Sequence, residues 1–241
     1  MLSHHIKFIN MIITPMPPSL AFIALFIALI PPLTLIYRIV CPRILTYPWT
    51  KASKKRNETV VFAGSFNPPH NGHIAMIKYL ASTYENVILV IGMNPNKVYK
   101  VSPQTRADIL HKMIAVRLGV REMDKSRIRV KVVSGYIWRF CYSQNADIMI
   151  RGIRTWKKDG KEERALHILN TWGPIVFGPL KWPLKTVFME GDTRYLDLSS
   201  TLIREACANQ NARENGKRSD RSILEGMVPK QVEEEVIKAY S

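Results

Sequence analysis

The chain has 241 residues, 46% of them apolar, and a formal net charge of +16. That length allows one or two domains with a sizeable core. The charge points to anionic partners (nucleic acid, a membrane surface or phosphorylated substrates), with a solvated basic surface as the plain alternative. The three cysteines, Cys41, Cys141 and Cys207, are far apart and form no CxxC, so neither a disulfide framework nor a zinc site is implied, and a reducing compartment fits better.

Between Met11 and Tyr37 there is no charged residue. Ser19–Ile30 is apolar on every face, unlike an ordinary amphipathic helix. Pro31-Pro32 interrupts, and Leu33–Val40 resumes. Together the run has the length to span a bilayer with a proline kink, whereas its first half alone matches a signal-peptide core. Lys7 precedes it, while Arg38, Arg43, Lys51, Lys54, Lys55 and Arg56 lie at its end or beyond, a bias that holds the downstream domain in the cytosol. Residues 1–46 are thus expected to be a membrane anchor. The alternative is a leader removed on entry to a mitochondrion, a plastid or the secretory route. Residues 47–58 read as a basic, flexible linker able to rest on anionic headgroups, and residues 59–241 as one globular domain.

Within that domain strand-like runs recur at Thr59–Ala63, Asn86–Gly92, Ile128–Val133, Asp147–Ile150 and Thr186–Met189. Helical patterns lie between and after them. Ile74–Tyr84 lines up Ile74, Ile77, Ala81 and Tyr84 on one face. Ser102–Leu118 opens on a Ser-Pro pair suited to a helix start. Tyr136–Ser143, Gly160–Trp172, Thr201–Asn209 and a closing Pro229–Tyr240 complete the series. Short apolar strands joined by helical crossovers predict an α/β, Rossmann-like, doubly wound parallel sheet. Ligands then bind beyond the carboxyl ends of the strands.

Four groups fall on that edge. The first is Gly64-Ser65-Phe66-Asn67-Pro68-Pro69-His70-Asn71-Gly72-His73, a turn from the first strand into a helix. Helix N-terminal amides attract anions, and Gly72 permits a close backbone approach. The second is Asn94-Pro95-Asn96-Lys97, a turn ending in a flexible cation. The third is Arg151-Gly152-Ile153-Arg154, directly after a strand. The fourth, Leu198–Arg204, places Ser199, Ser200 and Thr201 at a helix start ahead of Arg204, which is both a cap signature and a second anion cradle. Each alone has a bland explanation. Their convergence describes a site for a nucleoside triphosphate and a second phosphorylated substrate.

Gly64–His73 resembles the HxGH signature of the nucleotidyltransferase superfamily, and Ser199–Arg204 resembles its SSTxxR motif. Arg151–Arg154, followed by Asp159, Glu163 and Asn170, is similar to the RGxR…D…E…N pattern of phosphopantetheine adenylyltransferase. Asn96-Lys97 matches that family's short SK turn. The resemblance implies that Gly64, Ser65, Phe66, Gly72 and His73 hold ATP, joined by Gly152, Arg154, Glu163, Ser199, Ser200, Thr201 and Arg204. It implies that His73, Lys97 and His70 serve the chemistry, and that Ser65, Lys97 and Arg151 meet the acceptor. Two stretches, Thr171–Lys185 and Asn209–Asp220, look longer than the family pattern, as does the Arg154–Asp159 interval.

The reaction so implied joins ATP to 4′-phosphopantetheine, giving dephospho-coenzyme A and pyrophosphate. Mg²⁺ is expected on the phosphate oxygens, with no protein carboxylate cage. His70 leans towards the related nicotinamide or nicotinate mononucleotide adenylyltransferases, and cytidylyl transfer is a further variant. From another class comes an inactive, membrane-tethered nucleotide- or RNA-binding protein. No RNA-stacking motif accompanies the charge, so no nucleic-acid partner is expected. A homo-oligomer is possible.

Overall fold

A computed structural model describes residues 18–50, 53–93, 98–119, 127–213 and 223–241. Lys97 lies outside them, as does most of Asn209–Asp220. The chain divides into two units, Met1–Cys41 and Pro42–Ser241. The first contains helix α1 (Pro18–Val40), with Pro31 and Pro32 inside it. Its side chains, among them Phe22, Phe26 and Ile27, are largely exposed. Phe22–Val40 is long and apolar enough to cross a membrane.

The second unit carries β1 (Arg43–Leu45), β2 (Arg56–Gly64), α2 (Asn71–Thr83), β3 (Tyr84–Met93) and α3 (Pro103–Leu118). Then come β4 (Ile128–Ser134), α4 (Ile137–Ser143), β5 (Ile148–Ile153), α5 (Trp156–Val176) and β6 (Lys185–Glu190). A 3₁₀ turn (Thr193–Tyr195), α6 (Ser200–Arg213), a second 3₁₀ turn (Lys230–Val232) and α7 (Glu233–Tyr240) finish it. The six strands form one sheet in the order β1-β6-β5-β2-β3-β4, every pair parallel. The chain winds outward from β2 through β3 to β4, then returns to β5 on the other side. The carboxyl ends of β2 and β5 therefore flank the reversal point where such sheets bind ligands.

Both sheet faces are covered. Val60, Phe62, Leu89, Ile91 and Ile150 share one core with Ile74 and Leu80 of α2, Ile109 and Leu110 of α3, and Val236 of α7. Val61, Ala63, Ile88, Val90 and Met149 face the other way, onto Cys141 of α4. Burial on both faces explains the unbroken apolar runs of β2 and β3. Ser102 caps α3 by accepting from the Thr105 amide at 3.0 Å, and Gly119 ends it in the left-handed conformation.

The structure corrects two boundaries. Arg43–Leu45, grouped by sequence with the apolar segment, is an edge strand paired to Val187–Met189. The stretch after it is stitched down rather than a loose linker. The Trp49 indole donates to the Glu190 carbonyl at 3.1 Å, its ring lies 5.2 Å from that of Tyr79, and the Tyr79 hydroxyl donates to the Thr50 carbonyl. Two aromatics with apolar surface to bury outweigh the polar composition around them. Helix α5 is also longer than expected. It starts at a Thr155 cap that accepts from the Lys158 amide and carries Pro174 near its end.

Candidate active site

Two adjoining cavities open at the carboxyl edge and share Ser200. The larger, of about 660 Å³, is lined by Ser65, Asn67, Lys100, Thr201, Arg204 and Tyr240. The smaller, of about 220 Å³, is lined by His73, Gly152, Arg154, Asp159, Tyr195 and Ser199.

The turn after β2 is built against its own core. Phe66 holds a φ of +44°, and its ring is 1% exposed. That ring packs edge-on against Phe62 at 5.6 Å and lies 4.9 Å from His73. Its side chain is thus a core element. A cis peptide joins Asn67 and Pro68. His70 precedes the first residue of α2, and its backbone N–H donates to His73 Nδ1 at 3.2 Å. That bond fixes the neutral tautomer of His73 with its proton on Nε2, a ready donor to an anion. Burial pushes the His73 imidazole down to about 4. His70 is also held well below its ordinary value, first by burial and then by its neighbour His73. Both rings are therefore neutral at pH 7.

The His70 ring stacks 3.8 Å from that of His73 and is itself buried. A Cβ on Gly72 would stand 3.1 Å from the His70 ring and 3.2 Å from Tyr195 Cβ. Gly72 thus lets the imidazole stack and the Tyr195 backbone close on the helix start together. Packing accounts for His70, so its presence says little about which acceptor is used.

The start of α6 abuts the same turn. Ser199 Oγ accepts from the Leu202 amide at 3.2 Å, the cap its sequence predicts. Ser200 Oγ donates to the Pro68 carbonyl at 2.7 Å. Arg204 Nη1 donates to the Asn67 carbonyl and Nη2 to Thr201 Oγ1 at 2.9 Å. Two helix N-termini therefore converge on one turn.

On the β5 side three arginines, Arg151, Arg154 and Arg194, each have an acid. Arg151 and Gly152 are the continuing end of β5, not a turn after it. Arg151 clasps Glu163 with two bonds, at 3.0 and 2.8 Å, and donates a third to the Ala63 carbonyl. Arg154 binds Asp159 through side chain and backbone, which raises its guanidinium pKa further. The longer Arg154–Asp159 interval thus leaves Asp159 and Glu163 each facing an arginine of the motif. Arg194 clasps Asp192 on the rim. At Gly152 a Cβ would meet the Phe62 ring at 3.0 Å and Met76 Sδ at 3.1 Å, so β5 can pass only without a side chain.

The profile of the cytidylyltransferase-like family, which covers these motifs, matches residues 61–206. The chain belongs to that family. Relatives named phosphopantetheine adenylyltransferase align along most of their length. That of Desulfotalea psychrophila is 30% identical over 181 residues, 75% of this chain and 91% of the relative. That of Leptospira biflexa is 26% identical, with 75% of this chain and 96% of the relative covered. Among solved structures, a bifunctional NMN adenylyltransferase/ADP ribose pyrophosphatase from Francisella tularensis superposes with a TM-score of 0.42 and 15% identity. It covers 64% of this chain and 43% of that longer one, too little to bear on substrate. The family and these relatives make the protein a nucleotidyltransferase of the phosphopantetheine adenylyltransferase group.

This nucleotidyltransferase site has parts that its sequence hides. Arg106, in the first turn of α3, is 0% exposed. It donates to the Ser65 carbonyl at 2.7 Å, approaches Met93 Sδ at 3.4 Å and lies 4.4 Å from the Tyr99 ring centroid. One guanidinium thus ties the loops after β2 and β3 together. Asn71 is gripped from the far end of the chain: its amide nitrogens donate to the Met227 and Gly226 carbonyls, both at 2.8 Å. Tyr240 donates to Asn67 Oδ1 at 2.9 Å. A helical arginine and a terminal tyrosine carry no motif; only the buried company they keep marks them. Among the described residues no cluster of three or more His, Cys, Asp or Glu side chains is placed to hold a metal. Of the acids on this edge, Asp159, Glu163 and Asp192 each face an arginine instead, and Glu190 accepts from the Trp156 backbone N–H.

Proposed function

We propose that this nucleotidyltransferase moves the adenylyl group of ATP onto 4′-phosphopantetheine, releasing pyrophosphate and dephospho-coenzyme A. The observation that carries the choice of acceptor is the near full-length match to relatives of that name. The Arg151–Glu163 clasp supports it.

In this proposal the nucleoside lies by Gly152 and Arg154, and the triphosphate runs past Ser199, Ser200 and Thr201 towards Arg204. Gly64 and Ser65 close the near side. An oxygen of the acceptor phosphate attacks the α-phosphorus in line, a new P–O bond forms, and the bond to the β-phosphate oxygen breaks with its electron pair on pyrophosphate. The attacking phosphate is already ionised, so no protein nucleophile or strong base is required. Catalysis then rests on positioning and on donors aimed at growing charge. His73 Nε2–H and the amides at the starts of α2 and α6 supply such donors. His70 positions His73. Arg151 orients the acceptor phosphate. Lys97, outside the described residues, is proposed to reach both phosphates.

A divalent ion, Mg²⁺ by expectation, would enter on the triphosphate and shield its charge. The donor set fits that route, because Asp159, Glu163 and Asp192 are already engaged by arginines and Glu190 by the Trp156 N–H. Helix α1 is proposed to anchor the enzyme with its catalytic unit in the cytosol.

The test is pyrophosphate release by the full chain in detergent, with ATP and one acceptor at a time. Release with 4′-phosphopantetheine, and not with nicotinamide or nicotinate mononucleotide, is expected. Release with a mononucleotide alone overturns the acceptor. No release with any acceptor favours a binding protein that has kept the fold.

A further inference from the structure

We infer that the amino edge of the sheet, opposite the active site, is a docking face for an anionic lipid bilayer. The inference rests on α1 being membrane-embedded, and it assigns a second contact made by the catalytic unit itself.

In a parallel sheet all strands begin on one edge. Only Cys41 and Pro42 separate the last residue of α1 from the first of β1, so the chain enters the sheet on that edge. β1 lies beside β6, with Arg43 opposite Val187. The connection that leads into β6 therefore sits next to the point of entry.

That connection is built to present apolar side chains. Val176, Phe177, Leu180 and Trp182 are 61%, 56%, 81% and 51% exposed. Its backbone is meanwhile engaged by α4: Arg139 donates to the Phe177 carbonyl at 2.8 Å, and Tyr142 donates to the Trp182 carbonyl at 2.6 Å. Carbonyls satisfied within the protein ease the transfer of a loop into an apolar medium. Leu180 holds a φ of +53°, in the left-handed region that favours glycine. A leucine kept there with its side chain in solvent has no folding advantage to show for it. Lys181 lies over the Tyr142 ring at 5.4 Å, close to the apolar tip.

Farther along the same edge, where β2, β3 and β4 begin, a cavity of about 310 Å³ is lined by Lys55, Lys78, Arg117 and Arg127, with Glu85 as its acid. Glu85 pairs with Arg127 at 3.1 Å. Among the described residues two other acids lie near that edge: Asp147 accepts from the Thr59 amide, and Glu58 stands two residues into β2. The balance of the described residues remains basic. An apolar tip with aromatic residues and a basic cavity on one edge match the two halves of a lipid interface, acyl boundary and anionic headgroup. Docked this way, the enzyme turns its carboxyl edge, and so its cleft, towards the aqueous side.

The test uses the full chain with Cys41→Ser and Leu180→Cys, labelled with an environment-sensitive dye and reconstituted into phosphatidylcholine vesicles with or without phosphatidylserine. Thr193→Cys, on the opposite edge, is the control. Flotation reports anchoring by α1, and pyrophosphate release reports the activity, so the three claims can fail separately. The expected result is a blue shift and quenching by headgroup-level lipid quenchers at position 180 only. The effect should be stronger with phosphatidylserine and lost in Lys55→Glu/Lys78→Glu, with activity retained. A floating, active protein whose dye at 180 is as wet as that at 193 overturns the inference. So does protection at 180 that persists in detergent and rises with protein concentration, which marks a second copy as the occupant. Protection that ignores phosphatidylserine overturns the anionic part.

Discussion

The two walls of the cleft handle charge in opposite ways. On the β2–α2 wall the anion-seeking groups are neutral imidazoles, hydroxyls and helix amides with no carboxylate among them. Among the described residues there, Arg204 is held by a carbonyl and a hydroxyl and not by an acid. On the β5 wall, by contrast, Arg151 is matched to Glu163, Arg154 to Asp159 and Arg194 to Asp192. The first wall is electrostatically incomplete until a polyanion arrives, so it can stabilise charge that develops during reaction. The second is complete beforehand and serves best as a rigid template that sets where the partners lie.

If that division holds, the largest effect belongs to the first wall. His73→Ala should cut turnover roughly a hundred- to a thousand-fold, the range for loss of one well-placed donor, while the Kd for ATP barely moves. Near-normal turnover would remove His73 from the chemistry.

Loss of a template partner should look different. Glu163→Ala leaves a half-buried guanidinium with a single carbonyl acceptor. The expected cost is about 1–3 kcal/mol of stability, read by denaturant unfolding, and roughly a tenfold rise in KM for the acceptor alone, equivalent to ~1.4 kcal/mol. Equal shifts in KM for ATP and acceptor would erase the distinction between the walls.

The imidazoles predict a pH effect. Their pKa values are depressed in the folded state, so the unfolded chain binds more protons between about 4 and 6.5. Stability is therefore full above 6.5 and declines as pH falls towards 4. Thermal unfolding across that window should show a falling Tm, and His70→Asn/His73→Asn should flatten it. A parent profile already flat there would mean the rings are not desolvated.

The smallest effect is a control outside both walls. Ser102→Ala removes the α3 cap and should cost about 1 kcal/mol with turnover unchanged. A large loss of turnover would show that the site's properties are spread through the fold.

Much of this was legible beforehand, for specific reasons. β2 and β3 are buried on both faces, so their apolar runs announce a parallel sheet. Ser102-Pro103 and Ser199–Thr201 start helices because their hydroxyls satisfy amides that nothing else can. Less visible was whatever depends on distant partners. Arg151 and Gly152 read as lying just beyond a strand because a charged residue and a glycine are poor strand formers, yet Glu163 and the Phe62 ring give each a place in β5. Arg106 has no motif around it, and only the Ser65 carbonyl found against it marks its role. Arg43–Leu45 is hidden in an apolar segment because three residues carry no period of their own. The grip on Asn71 from Gly226 and Met227 spans most of the domain and leaves no local trace.

The edge strand also sets a limit on maturation. β6 is covered on one side only by Arg43–Leu45. A peptidase that cut beyond Pro42 would strip that cover and leave a row of unpaired amides and carbonyls, a template for pairing with other chains. Any soluble form made by trimming this protein must keep Arg43, so the permissible scissile bonds end where the sheet begins.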